Sequence, residues 1–210
     1  MNKIEDDILV VRQLVDFSEM ILPIEARNRY EIYDAEGNQK YFAYEVGGRR
    51  IWAFLLRSLL SNYRPFTMKV VDRDQREIVS LERPFRFYFH GINIYQNGQW
   101  IGCVRRKFNI LNKHYNLFDH NDNFMCEVKG PIWKPWTFNI IRNSKVYGKI
   151  KKAWRGFFQE ALTDSDNFGV QFPDGASNED RKILLATVFL LDFIYFEDNK
   201  GIDYFPNIRT

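Results

Sequence analysis

Few side chains in this sequence have the types and spacing that catalysis requires. The three histidines, His90, His114 and His120, do not share the spacing of metal ligands on a helix. Asp119 could orient His120 as a base, but no activated nucleophile accompanies them, and their HNDN context is typical of a solvated turn. Phosphate-binding glycine loops and the HExxH and GxSxG motifs are absent. We therefore expect a protein without catalytic residues rather than an enzyme.

Cysteine use and the N-terminus bear on the compartment. Cys103 and Cys126 are the only cysteines and lie in separate strand-like segments, which excludes a disulfide framework and a Cys-rich zinc site. The start MNKIEDDILVVRQ has acids where a secretory signal has basic residues, and no Asn-x-Ser/Thr sequon occurs. These features favour a cytoplasmic protein.

A basic run without any acid is the clearest candidate binding feature. It comprises Lys145, Lys149, Lys151, Lys152 and Arg155. Strand parity puts Lys149 and Lys151 on one face with Tyr147. The opposite face is predicted to hold Val146, Gly148 and Ile150. Such a face is typical of a site for anionic phospholipids or phosphoinositides; the alternatives are a solvated strand and, more weakly, a nuclear-import signal.

The charge is segregated along the chain. The net charge is only +3, yet residues 83–159 hold fourteen basic and three acidic residues, a net of +11. The remaining residues hold sixteen basic and twenty-four acidic residues, a net of −8. If the fold keeps the basic segment together, one flank of the molecule is strongly positive and favours an anionic partner.

A second candidate is an amphipathic helix at 49–63. Its arginines flank an apolar face, the composition of a helix that lies on a membrane surface. The residues of this membrane-contacting helix are Arg49, Arg50, Trp52, Leu55, Leu56, Arg57 and Leu59. The alternative is a helix that covers one end of the fold.

Residues 183–196 are apolar on all sides except at Thr187 and Asp192. Fourteen residues make about 21 Å of helix, too short for a hydrocarbon core of about 30 Å. We therefore expect a helix buried in the core, begun by a capping box at 177–180. A single-pass tail anchor is the disfavoured alternative. The predicted plug consists of Ile183, Leu184, Leu185, Val188, Phe189, Leu191, Asp192, Phe193 and Phe196.

The rest of the sequence predicts β-hairpins. Alternating runs are joined by polar turns at 29–46, 66–83, 92–104, 115–129 and 138–152. Asn97-Gly98 is the strongest turn signal, since a type I′ turn needs positive φ at both positions. So many strands must close to hide their edges. We expect a mainly β, single-domain chain of residues 1–210 around the plug helix, with 199–210 as a short flexible tail.

Trp133, Trp136 and Phe138 beside Lys134 resemble a nucleic-acid stacking platform. Pro131 and a second proline between the tryptophans instead favour a rigid connecting loop. A nucleic-acid partner is therefore disfavoured.

Three segments carry a family resemblance. The sequence resembles the phospholipid scramblase family in RPFTMKVVDRDQREIVSLERPFRF (64–87), in YEIYDAEGNQKYFAYE (30–45), and in GKIKKAWRGFFQEALTDSDNFGVQFP (148–173) followed by LLATVFLLDFIYFE (184–197). The resemblance implies a tubby-like closed antiparallel β-barrel of about twelve strands around a central hydrophobic C-terminal helix. It also implies calcium-dependent movement of phospholipids between leaflets by a peripheral membrane protein. Tubby-like relatives instead act as soluble protein-interaction or phosphoinositide-binding modules, and this alternative stays open.

Two family features are missing. The chain has no long Pro-rich arm before the first hairpin, and 85–93 contains none of the cysteines that family members use for palmitoylation. A membrane-bound protein would need another anchor in their place.

The family's proposed calcium segment maps onto residues 164–175. The family resemblance carries the site over to Asp164, Asp166, Phe168, Val170 and Phe172. An EF-hand loop needs oxygen ligands at its fifth and twelfth positions, where this sequence has Phe and Gly. The three apolar residues also alternate like a strand facing the core. The expectation is a weak calcium site at most.

Overall fold

A computed structural model describes residues 3–14, 28–46, 65–84, 91–109, 112–134, 136–152 and 167–195. These residues form twelve strands followed by one helix, α1 (Asn178–Tyr195). The strands are β1 (Ile8–Gln13), β2 (Arg29–Tyr33), β3 (Gln39–Glu45), β4 (Phe66–Asp72), β5 (Glu77–Arg83), β6 (Gly91–Gln96), β7 (Gln99–Lys107), β8 (Asn112–Asp119), β9 (Phe124–Pro131), β10 (Thr137–Arg142), β11 (Lys145–Lys152) and β12 (Phe168–Gln171).

The strands form a closed antiparallel barrel in which every strand pairs with its neighbours in the chain. All five predicted hairpins are present, from β2–β3 to β10–β11. Closure comes from β1, which pairs with β2 on one side and with β12 on the other, where Leu9 lies opposite Val170. The predicted barrel is confirmed, and its closure leaves no strand edge unpaired.

Helix α1 fills the barrel interior, as predicted from its apolar composition. Its residues from Arg181 to Ile194 are all buried. The two polar side chains of the apolar run have partners: Thr187 donates to the Ile183 carbonyl at 2.8 Å, and Asp192 accepts from Tyr30 Oη at 2.7 Å. Across the described ranges, no helix combines the length and hydropathy needed to span a bilayer.

The predicted capping box begins α1. The Asp180 amide donates to Ser177 Oγ at 3.1 Å, and the Ser177 amide donates to a carboxylate oxygen of Asp180 at 3.2 Å. The N-terminal segment is tied to the same turn, since the Ile4 amide donates to Asn178 Oδ1 at 2.8 Å. Helix start and chain start therefore meet at one end of the barrel, called here the turn end.

Three hairpins at the turn end share one five-residue turn. Residues 34–38, 72–76 and 119–123 each begin with an aspartate whose Oδ1 accepts the amides two and four residues later, at 2.8–3.0 Å. The fourth residue of each turn has a positive φ of 85°, 63° or 61°. The other carboxylate oxygen binds the side chain of the fifth residue. Each aspartate therefore fixes its hairpin through local hydrogen bonds.

The other two hairpins at the turn end have two-residue turns. Asn97 and Gly98 have φ values of 50° and 77°, which confirms the type I′ turn expected from the Asn-Gly pair. Asn143 and Ser144 adopt the same positive φ region, at 50° and 62°. All five hairpins thus close within a few residues, and the turn end is compact.

The opposite end, called here the loop end, receives the C-terminus of α1. Tyr195 Oη lies 2.7 Å from Tyr115 Oη, and Phe193 stacks on Phe66 with ring centroids 4.5 Å apart. The longer connections of this end, residues 15–27, 47–64, 85–90 and 153–166, lie outside the described residues. The shorter connections β7–β8 and β9–β10 are described apart from residues 110, 111 and 135.

Candidate functional site

Strand β11 presents its lysines as predicted. Lys149 is exposed and Lys151 half-buried, whereas Gly148 and Ile150 face the core. Lys145 is exposed at the start of the strand, and Arg155 lies outside the described residues. The run therefore does place two lysines on the outer face of the barrel.

The prediction that Val146 faces inward is wrong, since it is 51% exposed. Ile140 pairs with Gly148 and Ile141 pairs with Val146, so Tyr147 is an extra residue, a β-bulge. A bulge reverses strand parity beyond it, and Val146 therefore shares the outward face of Ile141.

The outer face continues across five strands through the register. Lys149 lies opposite Asn139, Asn139 opposite Lys129, Lys129 opposite His114, and His114 opposite Lys107. With strands about 4.8 Å apart, the row from Lys107 to Lys149 spans roughly 19 Å. We call Lys107, Lys129 and Lys149 the lysine row. Of the three, only Lys149 is predicted from the basic run, because the other two lie on strands distant in sequence.

One acid lies beside the row. Glu127 pairs with Lys129, and its carboxylate lies 3.2 Å from His114 Nε2. Burial raises the pKa of Glu127, but the hydrogen bond and charge of Lys129 outweigh it and lower the pKa overall. Burial and the nearby Lys129 lower the pKa of His114, so its ring is neutral at pH 7. The positive charges of Lys107 and Lys149 are therefore not offset by this acid.

The basic segment of the sequence stays together in the fold and forms one flank of the barrel. Strands β6 to β11 are consecutive neighbours in the barrel. Residues 91–152, which form these strands and their connections, hold eleven basic and three acidic residues. A sequence of like-charged hairpins becomes one positive surface because a meander keeps neighbours in the chain adjacent in space.

Some basic side chains of this half point instead toward the loop-end mouth of the barrel. The Lys152 ammonium lies 5.6 Å from the Trp136 ring and 5.7 Å from the Phe168 ring. The Lys113 ammonium lies 3.8 Å from the Tyr195 ring, and burial, followed by the charge of Arg106, lowers its pKa. Lys152, assigned to the basic run, thus lies on the face opposite to Lys149 and Lys151 and contacts aromatic rings.

The described part of the proposed calcium segment belongs to the core. Phe168, Val170 and Phe172 are 1%, 0% and 3% exposed. Their side chains carry no oxygen and pack in the main hydrophobic cluster. Asp164 and Asp166 lie outside the described residues. Within the described part of the chain, no group of three or more His, Cys, Asp or Glu side chains could hold a metal ion, so calcium binding stays a prediction.

Two further sets of predicted residues lie wholly or partly outside the described residues. The membrane-contacting helix, residues 49–59, is not among the described residues, and neither is Phe196 of the plug. The other predicted plug residues are buried in α1. Asp119 and His120 do not bind each other: Asp119 caps its own turn, while His120 Nδ1 lies 2.7 Å from Glu179 Oε1. The pair is structural, as the turn interpretation predicted.

Comparison with known proteins gives a consistent result. A family model described as Scramblase matches residues 2–198. The chain is 28% identical over 206 residues to human phospholipid scramblase 2, covering 91% of this chain and 68% of that protein. It is 31% identical to mouse phospholipid scramblase 1 over 206 residues, covering 91% of this chain and 61% of that protein. The chain thus spans about two thirds or less of the length of these two relatives. No solved structure matches it.

Proposed function

The chain belongs to the Scramblase family, and from that premise we propose that it is a peripheral membrane protein that binds anionic phospholipids or phosphoinositides. Its contribution to phospholipid movement between leaflets is calcium-dependent and involves binding rather than catalysis. The lysine row on the positive flank is the single observation that carries this proposal. Several lysines on one face attract an anionic leaflet with about 1 kcal/mol each.

The lipid contacts the outside of the barrel in this proposal. The interior is filled by α1, whose Leu185, Leu190 and Leu191 are 0% exposed. A headgroup therefore has no room among these side chains, since protein interiors are close-packed. Lys107 and Lys149 of the lysine row are exposed, and Lys129 is half-buried. All three lie on paired strands, and the row is wide enough for more than one headgroup.

Vesicle co-sedimentation tests the proposal. We expect Lys107→Gln/Lys149→Gln to lower the affinity for phosphatidylserine vesicles roughly 30-fold, since two attractions of about 1 kcal/mol are lost. The matched control is Lys69→Gln/Arg73→Gln, which removes the same charge from β4 and its turn on the other flank. Equal losses in both pairs would show that net charge, rather than the lysine row, determines binding.

The filled interior also favours a second candidate, a tubby-like module that binds lipids or proteins without moving lipids. Reconstitution into vesicles with fluorescent lipids, with and without calcium, separates the two. Calcium-dependent transfer of the label supports translocation. Vesicle binding without transfer at any calcium concentration supports the binding module and contradicts the translocation part of the proposal.

A further inference from the structure

The loop end exposes large apolar side chains on two short connections. Phe108 of the β7–β8 connection is 80% exposed, and Trp133 of the β9–β10 connection is 72% exposed. Ile132 and Trp136 beside it are 54% and 48% exposed. Such side chains in water are unfavourable, and a cluster of them marks an interaction surface.

The two connections are adjacent. Asn112, at the start of β8, pairs with Pro131, at the end of β9, so both connections leave the same pair of strands. We call residues 108–109 and 132–134, together with Trp136, the aromatic loops. Their side chains protrude from one place on the barrel rim, next to the mouth that receives α1.

Hydrogen bonds hold the β9–β10 connection in shape. The Lys134 amide donates to the Pro131 carbonyl at 3.0 Å, and the Thr137 amide donates to the Lys134 carbonyl at 3.2 Å. The Lys152 amide donates to the Trp136 carbonyl at 2.9 Å. Trp133 and Trp136 are therefore presented by an ordered turn, which reduces the entropy lost when they bind a partner.

The surroundings of the loops are basic. Residues 99–118 and 128–152 contain no acid. Lys107 directly precedes Phe108, and Lys134 lies between the two tryptophans. Lys129 lies two residues before Pro131, which places the lysine row roughly 7 Å back from the aromatic loops. Aromatic tips with lysines behind them match the depth profile of a membrane interface, where rings lie at the headgroup level and ammonium groups meet phosphates.

Exposed aromatic side chains also occur at the turn end, in a different setting. Phe124 and Tyr147 are 49% and 47% exposed. They line a cavity of about 500 Å³ whose lining also holds three aspartates, Asp119, Asp174 and Asp180, against one arginine, Arg142. Carboxylates repel an anionic leaflet, so these rings do not suit a membrane. Among the residues that the structure describes, charge thus favours the loop end.

We infer that the aromatic loops insert into the headgroup region of an anionic phospholipid bilayer, with Phe108 and Trp133 as the deepest side chains and the lysine row above them. This inference rests on the proposed function and extends it by giving the orientation of the barrel on the membrane. The long axis of α1 then points with its C-terminus toward the bilayer. The rings supply apolar contact, and the lysines supply the preference for anionic lipid.

Paired variants test the orientation. We expect Phe108→Ser/Trp133→Ser to lower affinity for phosphatidylserine vesicles roughly 100-fold, because two apolar groups no longer enter the interface. The control Phe124→Ser/Tyr147→Ser removes two exposed rings from the turn end and should change affinity less than about threefold. Thermal melting of all variants checks that they fold. Equal affinity of the loop variant and the natural protein would overturn the inference and leave the proposed function standing.

A depth measurement gives an independent readout. An environment-sensitive dye on Trp133→Cys should shift to the blue with vesicles and be quenched by lipid-borne quenchers, whereas the dye on Phe124→Cys should not. The natural Cys103 and Cys126 are 3% and 6% exposed and do not compete for the label. A dye on Trp133→Cys that stays in water while the protein sediments with vesicles contradicts insertion.

Two other outcomes also decide the matter. If the natural protein does not bind anionic vesicles at all, both the proposed function and the insertion fail. If it self-associates in light scattering, and Phe108→Ser/Trp133→Ser abolishes that association without changing vesicle binding, the aromatic loops are a protein interface and the inference is wrong.

Discussion

The two ends of the barrel differ in how they are built. At the turn end, five hairpins close within a few residues, and three of them use the same aspartate-led turn. At the loop end, the rim combines exposed aromatic side chains with basic residues and receives the last turn of α1. The described turns of the turn end satisfy their polar groups locally, and the described connections of the loop end expose apolar side chains.

The charges of the ends differ as well. Acids at the turn end include Asp34, Asp72 and Asp119, which accept hydrogen bonds from their own turns. Basic groups at the loop end include Lys113 and Arg83, which lie over the rings of Tyr195 and Phe193. A helix C-terminus carries partial negative charge, and α1 has no basic residue in its last turn, so the barrel strands supply the cations. The turn end therefore holds its hairpins through local hydrogen bonds, whereas the loop end anchors the C-terminus of α1 and exposes aromatic side chains.

The largest expected effect concerns where α1 is anchored. Phe193→Ala removes a ring that stacks on Phe66 and lies 4.8 Å from the Arg83 guanidinium. We expect a loss of about 3–5 kcal/mol in the free energy of unfolding, as for other buried phenylalanines. Denaturant unfolding measures it. The control at the turn end, Glu179→Ala, should cost less than about 1 kcal/mol, since Glu179 makes a surface contact. Similar losses at both ends would contradict an anchor at the loop end.

Changes in the aspartate-led turns are expected to have an intermediate effect on the free energy of unfolding. Asp34 is buried and accepts three hydrogen bonds from residues 36 and 38. Asp34→Ala removes these three hydrogen bonds to a buried carboxylate and should lower the free energy of unfolding by about 1–3 kcal/mol. The equivalent change at the exposed turn, Asp119→Ala, should cost less because water replaces the lost acceptor. A larger loss at Asp119 than at Asp34 would show that burial does not control the turns.

The carboxylates of these turns also predict an acid effect. Burial raises the pKa values of Asp34 and Asp72, but hydrogen bonds from Asn38 and Arg76 outweigh it and lower both overall. Stability from these groups is thus present above their unfolded pKa values and is lost as the pH falls through the lower folded values. Asp34→Asn should flatten the stability curve in that acid range, measured by denaturant unfolding at several pH values.

The smallest expected effect on stability comes from two histidines whose pKa values are shifted in opposite directions. The hydrogen bond that His120 donates to the Glu179 carboxylate raises the pKa of His120 above 6.5, while burial lowers the pKa of His114 below 6.5. The contribution of His120 to the free energy of unfolding is fully present below its unfolded pKa and is lost as the pH rises through its folded pKa. The contribution of His114 to stability has the opposite sign. Acid destabilises the folded protein there, because His114 binds a proton more readily in the unfolded state. NMR titration of the ring protons should give His120 the higher value; the reverse order would contradict both environments.

Much of the fold could be predicted because its causes are local. Asn97-Gly98 predicts its own turn, and alternation within 66–83 predicts its own hairpin. The all-apolar surface of α1 requires burial on every side, and a closed barrel is the only place for it in a strand-rich chain. The inward side of Val146 was predicted wrongly because a bulge at Tyr147 depends on the pairing with β10, which strand parity alone does not contain.

The candidate site was predictable only in part. The acid-free run indicated Lys149, and the charge count of 83–159 indicated a positive flank. Lys107 and Lys129 were missed because their alignment with Lys149 depends on the register of four successive strand pairs. The exposed aromatic side chains were visible in the sequence, but their position beside Phe108 was not.

The strands, the plug helix, the turns, the charge segregation and the family resemblance can be read from the sequence, because each follows from residues close together in the chain. The lysines that share a row and the end that carries the aromatic loops emerge only from the folded barrel, because its closure fixes the register of every strand at once. A one-residue shift in any pair would move a lysine or a ring to the other face of the sheet.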